Sequence, residues 1–304
     1  MDNFSIHTLG CGSARPSLKH LPSSTVVDHR GNLFMIDCGE GAQLSFMRHR
    51  LSFRRLRHIF LTHLHGDHVF GLPGLIGTIA LNGTGGDLTI HTFQDGAEQL
   101  SSIFKYFCRD TPFDIRFNII KPEEKVILET KSLTVRTIPL DHRVPAVGYV
   151  FEEKAGDRHI RPDMTRFHEV PLYMMKRIKA GEDFVKPDGT VIPNDILTSP
   201  PSPPLSYAHI SDTAYMKNLA AKIGPVSLLF HETTYLEEHK SLAAPRGHST
   251  ARQAAMVARD AGAKALLTGH YSSRYKDDSL FKKEALEIFP NVILNNEGLV
   301  TVIK

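Results

Sequence analysis

An α/β fold is what this sequence predicts, and three observations predict it. Short apolar runs recur along the chain and end in ionisable residues: MIDCGEG, IFLTHLHGDH, IPLDH, AHISDT, LLFHET and LLTGH. Segments with helical spacing, among them GAQLSFMRHRL and TARQAAMVARDAGA, lie between such runs. The 304 residues, 41% hydrophobic and 23% charged, are enough for one large core. In α/β proteins the strand ends carry the site and the elements behind them bury the core. Six such ends therefore argue for one shared site.

Each element follows from local pattern. FSIHTLGCGS reads as a strand entering a Gly-containing turn, and STVVDHRGNLFMID as a hairpin turning at HRGN. GAQLSFMRHRL reads as a helix, LRHIFLTH as a short strand ending at histidines, and GLPGLIGTIALNG as a helix starting near Pro73. DLTIHTF, KVILET, SLTVRTIPLDH and VGYVFEE read as strands. So do LSYAHISDT and VSLLFHET, before the amphipathic helix TARQAAMVARDAGA. ALLTGHYSSRY reads as a strand running into a loop, and NVILNNEGLVTVI as a terminal strand pair. Residues 155–205 break the rhythm, being charged, punctuated by Gly and Pro, and closed by a proline cluster. They predict an arm inserted into a single domain spanning 1–304.

The bulk properties exclude several classes. A net charge of +3 permits an anionic substrate without demanding one. Three cysteines, Cys11, Cys38 and Cys108, with no CxxC pair, disfavour a disulfide framework or a cysteine-based zinc site and favour a reducing compartment. The N-terminus lacks a basic segment followed by an apolar one, and no apolar run nears the ~20 residues of a membrane span. A cytoplasmic protein without membrane attachment is expected.

The stretch FLTHLHGDHVFGLPG places His63, His65, Asp67 and His68 within six positions. Burying such groups unpaired costs about a few kcal/mol each, so the string points to a ligand. His63 and His65, two apart at a strand end, face one side; Asp67 and His68 sit on the following turn. A zinc ion takes about four N, O or S ligands. Four on one short turn cannot wrap a single ion, but they can begin two neighbouring sites roughly 3.5–4 Å apart. His142, Asp212 and His270 each follow an apolar run and complete that inventory. With 17 histidines, isolated ones are expected anyway; His7, His20, His91 and His168 carry no motif and read as surface or satisfied core residues.

HxHxDH after a strand, with later His, Asp and His, resembles the metallo-β-lactamase superfamily, and the likeness narrows to the ribonuclease Z family. LGCGSARPS resembles that family's LGTGSxxP, and MIDCGEGAQ its DCGEGTQ; LTHLHGDHVFGLPGL is similar almost throughout. LDHRVPAVGY, SDT and TGHYSSRY are similar to the third, fourth and last motifs, and HETTY and GHST to the HEAT and HST loops. The resemblance implies a four-layer αβ/βα sandwich, usually a homodimer, and removal of the 3′ trailer from precursor tRNA. The tRNA would keep a 3′-hydroxyl and the trailer a 5′-phosphate. Carried over by position, it implies two zinc ions per chain, one held by His63, His65 and His142, the other by Asp67, His68 and His270, with Asp212 between them. The ligand set suits zinc and also admits manganese. It further implies catalytic roles for Asp67 and for His248 as proton donor, oriented by Glu232. Arg274 is a candidate for holding a phosphate.

Two segments depart from the family pattern. The arm lacks a GxPxGP run, and its residues 157–195 balance seven Lys/Arg against seven Asp/Glu. IGTIALNGTGG stands where an SRSFQG-like segment is expected. The basic run Arg48, Arg50, Arg54, Arg55 and Arg57 reads as a solvated face or as phosphate contacts. Two rivals remain. A phosphodiesterase for cyclic nucleotides or other small diesters would not require HETTY, GHST and SSRY. An inactive RNA-binding protein would be expected to lack a ligand or His248.

Overall fold

The structure, a computed structural model, describes residues 4–83, 86–109 and 111–304; positions 84 and 85 of the IGTIALNGTGG segment lie outside them. The chain forms two compact units, one of residues 1–128, 135–151 and 205–304 and one of 129–134 and 152–204.

The larger unit is built on two seven-stranded sheets. Its strands are β1 (Phe4–Gly10), β2 (Ser24–His29), β3 (Asn32–Ile36), β4 (Leu56–Phe60), β5 (Leu88–Thr92), β6 (Ile115–Ile119) and β7 (Lys125–Glu129). They continue with β8 (Leu133–Pro139), β9 (Val147–Glu153), β10 (Ser206–Ile210), β11 (Leu228–Glu232), β12 (Leu266–Gly269), β13 (Val292–Ile293) and β14 (Val300–Val302). The first sheet runs β14-β1-β2-β3-β4-β5-β6, antiparallel up to β3 and parallel beyond it. The second runs β13-β12-β11-β10-β9-β8-β7, with β10 to β13 parallel.

Alternation along the strands makes four layers. On β3, Leu33 and Met35 pack outward with Phe46 of helix α1 (Ala42–Arg48) and with Leu75 and Ile79 of a later helix (Leu72–Leu81). Phe34 turns inward, where it meets Phe151, and where Phe60, Tyr149, Phe151 and Tyr207 continue the stack at ring separations of 5.2 to 6.2 Å. Val150 on β9 and Ala208 and Ile210 on β10 pack outward with Leu219, Ile223, Ala254 and Ala258 of the helices Leu219–Ile223 and Ala251–Ala261. Because both faces of each sheet are covered, the strands read as apolar runs rather than alternating ones.

Most expected elements stand where their patterns put them, with two differences. The terminal run is not a pair: β13 extends the second sheet beside β12, while β14 closes the edge of the first beside β1. Periodicity reports that a strand exists, not which edge it completes. The strand leading to the histidines stops at Phe60, so His63 and His65 lie on the loop beyond it. The helix Gln94–Phe107 and β6 complete the first half; the buried Ala97, Leu100 and Phe104 recur at helical spacing along that helix.

Buried histidines make this interior sensitive to acid. His91, stacked on Phe60 at 4.2 Å, accepts from Asn118 at 2.8 Å and lies 3.1 Å from His58. Burial pushes His58 down to about 4 and His91 to about 3. Both folded values lie below the ~6.5 of a free imidazole, so below that pH the unfolded chain binds more protons and stability falls with pH, by at most ~1.4 kcal/mol per pH unit for each proton. The urea midpoint is expected to drop between pH 7 and 5, and to drop less in a His58→Gln, His91→Gln protein. Equal drops in the two proteins would place the acid sensitivity elsewhere.

The smaller unit has its own core of Val170, Ile178, Phe184, Ile192 and Leu197. Two short strand pairs, His159–Ile160 with Thr198–Ser199 and Phe184–Val185 with Val191–Ile192, frame the helices Pro162–Phe167 and Met175–Lys179. Asn194 Nδ2 ties it together by donating to the carbonyls of Ile178 and Glu182, both at 2.7 Å.

Candidate active site

All the predicted metal ligands converge in the larger unit, on loops at strand ends. His63, His65, His142 and Asp212 form one group, and Asp67, His68 and His270 a second. In the first, His65 Nδ1 lies 3.0 Å from His63 Nε2 and 3.2 Å from His142 Nε2. Asp212 Oδ2 faces this group, 3.7 Å from His63 Nε2 and 3.9 Å from His142 Nε2. Its Oδ1 faces the other, 3.2 Å from His270 Nε2 and 3.8 Å from His68 Nε2. Asp67 Oδ2 closes the second group at 3.5 Å from His68 Nε2 and 3.7 Å from His270 Nε2.

These atoms fit divalent cations. The Nε2 atoms of His68 and His270 are buried without a hydrogen-bond partner and face the Asp67 and Asp212 carboxylates, so their lone pairs are open to a cation. Other hydrogen bonds hold the rings in the tautomer such binding needs. His63 Nδ1 donates to Thr62 Oγ1 at 3.1 Å, His68 Nδ1 to Asp37 Oδ2 at 2.7 Å, His142 Nδ1 to the Gly247 carbonyl at 2.8 Å, and His270 Nδ1 to Thr234 Oγ1 at 2.9 Å. Each leaves Nε2 bare, the arrangement of a metal-binding histidine backed by a second acceptor. Burial works against charge on His68, but Asp37 and Asp212 make its ring strongly basic and so a better donor to a cation. Burial also opposes the Asp67 and Asp212 carboxylates, yet the surrounding imidazoles hold both well below the usual range, so both are anionic.

The loops are pinned by backbone contacts that demand glycine. Gly71 N donates to the Cys38 carbonyl at 2.8 Å, and a Cβ on Gly71 would lie 2.1 Å from the Gly39 carbonyl oxygen. Gly247 has φ +72°, and a Cβ there would meet His142 Nδ1 at 2.5 Å. Asp37 and His270 also adopt left-handed backbone, φ +56° and +61°, a strain characteristic of functional positions.

Beside the ligands stands a buried carboxylate with an imidazole. Glu232, at the end of β11, accepts at Oε1 from Ser249 N at 2.8 Å and lies 3.2 Å from His248 Nδ1. Its Oε2 accepts from Thr234 N at 2.8 Å and Thr234 Oγ1 at 2.6 Å. The loop bearing His248 ends in a capping box: Thr250 Oγ1 accepts from Gln253 N at 3.2 Å, and Thr250 N donates to Gln253 Oε1 at 3.0 Å. Burial opposes charge on His248, but Glu232 and Asp212 outweigh it and push the imidazole up to about 9.

A cleft of about 620 Å³ opens on this constellation, lined by His65, Asp67, Asp212, His248 and His270 and by Arg15, Arg143 and Arg246. Arg274 is exposed and lies outside the residues that line the cleft. Sequence reasoning passed over the three arginines that do line it, although Arg15 and Arg143 lie within LGCGSARPS and LDHRVPAVGY. It also left Asp37 without a role, although MIDCGEG stood among the six strand ends.

Comparison with known proteins places this site in context. A family model described as "Anti-Pycsar protein Apyc1" matches residues 4–170. The chain is 49% identical over 300 residues to "Ribonuclease Z" of Parabacteroides distasonis, covering 98% of this chain and 99% of that one. It is 46% identical to "Ribonuclease Z" of Bacteroides fragilis at the same coverage. Among solved structures it is similar to human tRNase Z, short form, with a TM-score of 0.70 and 22% identity over 99% of both chains. It is also similar to the metallo-β-lactamase fold protein YhfI of Bacillus subtilis, with a TM-score of 0.68 and 18% identity over 99% of both chains. At those identities the likeness to the structures is one of fold, and the fold is that of the metallo-β-lactamases.

Proposed function

The chain belongs to the ribonuclease Z family, and we infer from that membership that it is a metal-dependent endoribonuclease removing the 3′ trailer from precursor tRNA. Cleavage leaves a 3′-hydroxyl on the tRNA and a 5′-phosphate on the trailer. The observation that carries the reading to the level of residues is Asp212, one oxygen turned to each ligand group, with the His248–Glu232 pair alongside in the same cleft.

Two zinc ions would be held, one by His63, His65 and His142 and the other by Asp67, His68 and His270, with Asp212 offering one oxygen to each group. When bound they supply a water acidic enough to attack phosphorus near neutral pH and offset charge on the phosphoryl oxygens. The protein's own groups do the rest. Asp67, held at Oδ2 by the Ala14 N–H at 2.8 Å, would orient the attacking water. His248, with Nδ1 on Glu232, keeps Nε2–H as the proton donor to the departing 3′-oxygen. Arg15, Arg143 and Arg246 draw the phosphodiester into the cleft.

The arm of residues 155–205 serves as the tRNA-binding exosite. Its exposed Phe167, Leu172 and Tyr173, near Lys176 and Lys179, offer stacking and charge in spite of its balanced net composition. The chain acts as a homodimer in the cytoplasm. The exposed apolar side chains Leu44 and Met47 on α1 and Leu81 nearby support the pairing. No helix among the described residues is long and apolar enough to cross a membrane.

The test is cleavage of a 3′-extended precursor tRNA by purified protein beside bis(p-nitrophenyl) phosphate, with and without chelator. Cutting at the trailer junction, abolished by chelator and restored by zinc, is the expected result. Hydrolysis of the small diester with every tRNA left intact would overturn the substrate assignment in favour of a small-diester phosphodiesterase.

A further inference from the structure

A second constellation, sharing no residue with the catalytic one, lies where the N-terminal loop meets the C-terminal one. Cys11, His20 and Glu297 bring one sulfur, one nitrogen and one carboxylate together, their ligating atoms all within 4.8 Å of one another. Cys11 Sγ is 3.4 Å from His20 Nδ1 and 3.6 Å from Glu297 Oε1, and His20 Nδ1 is 2.8 Å from Glu297 Oε2. In a tetrahedral zinc site neighbouring ligand atoms stand about 3.3–3.7 Å apart. Cys11 Sγ already stands at such separations from His20 Nδ1 and from Glu297 Oε1, and the hydrogen bond between His20 Nδ1 and the other carboxylate oxygen, Oε2, gives way on binding.

The surroundings are those of a metal site as well. His20 Nε2 is 2.8 Å from Asp278 Oδ2, the carboxylate backing that fixes a ligating imidazole with its other nitrogen bare. Cys11 is 2% and His20 7% exposed, while His20 and Glu297 line a cavity of about 570 Å³ that gives entry and room for a water as fourth ligand. We propose that Cys11, His20 and Glu297 bind a third divalent cation of borderline-soft character, zinc or cobalt.

Binding displaces the thiol proton of Cys11 to solvent, and any proton on His20 Nδ1 with it. The role is that of a clip. Cys11 accepts at its carbonyl from Tyr271 N at 2.9 Å, and three residues on Ala14 N reaches Asp67, so the cation would fasten the loop that borders the catalytic cleft. Without a cation the same contacts suit an imidazolium between two carboxylates, whose charge burial opposes and Glu297 and Asp278 favour. That is the rival the experiment must separate.

Cobalt substitution separates them, because the catalytic groups contain no thiolate. The cobalt-loaded full chain should show a thiolate-to-cobalt charge-transfer band in the near ultraviolet. It should also hold one more equivalent of metal than Cys11→Ser, which loses the band and keeps the visible absorption of the catalytic ions. Glu297→Gln should weaken the band, should the serine variant fail to fold. A wild-type spectrum without the band, or a band that survives in Cys11→Ser, overturns the proposal and leaves His20 as an ion-pair bridge. Cleavage of precursor tRNA by the wild type is read independently, so either reading can fail without the other.

Discussion

Replacing His248 with alanine is expected to lower cleavage of precursor tRNA by ~10²–10⁴-fold, the span a positioned general acid supplies. The same protein should hydrolyse bis(p-nitrophenyl) phosphate at a rate within a few-fold of wild type. The difference lies in the leaving group: an alkoxide needs a proton as it departs, whereas p-nitrophenolate leaves without one. The surroundings of His248 suit that proposed role. Glu232 Oε1 at 3.2 Å fixes its Nδ1, the backbone N–H of Ser249 fixes Glu232 in turn, and the ring borders the cleft. Its Nδ1 is committed to Glu232 and stands 3.9 Å from Asp212 Oδ2, so metal content should be unchanged. Equal losses on both substrates, or loss of metal, would show that His248 supports the metal centre instead of donating a proton.

The opposite pattern is expected of Asp212→Asn. Both oxygens of this carboxylate are committed, Oδ1 toward His270 and His68, Oδ2 toward His63 and His142. An amide keeps the volume but removes the negative charge and puts a nitrogen where one of the proposed cations would bind. Activity should fall by ~10³-fold or more on the tRNA and on the small diester alike, because the electrostatic stabilisation serves both. Metal analysis should find fewer ions per chain, with retained circular dichroism showing that the fold survives. A variant that keeps its full metal content and loses activity on tRNA alone would move Asp212 from metal binding to substrate binding.

These two residues mark how the sequence and the structure divided the work. The candidate ligands could be listed because each follows an apolar run: a strand buried on both faces ends where the chain turns, and polar side chains buried there need a partner to offset their desolvation. His63, His65, Asp67 and His68 stood out as candidates by their crowding into one turn. Glu232 closes one of the six strand ends, LLFHET, but its role, like that of His248, rested on resemblance. Asp37 lay in plain view at a strand end, yet only its φ of +56° and its 2.7 Å bond to His68 give it a role.

Composition and periodicity by themselves determined the fold class, the strand ends, a helix starting near Pro73 and the inventory of candidate metal ligands, since these depend on residues within a few positions of one another. What only the tertiary structure decided depends on residues far apart. It set which oxygen of Asp212 faces which histidines, the sending of β13 and β14 to different sheets, and the arginines that line the cleft. It also brought Cys11 within 3.6 Å of Glu297, from 286 positions away. Local pattern reports what a segment must bury; where two segments meet is settled by closure of the whole core, which no window of sequence contains.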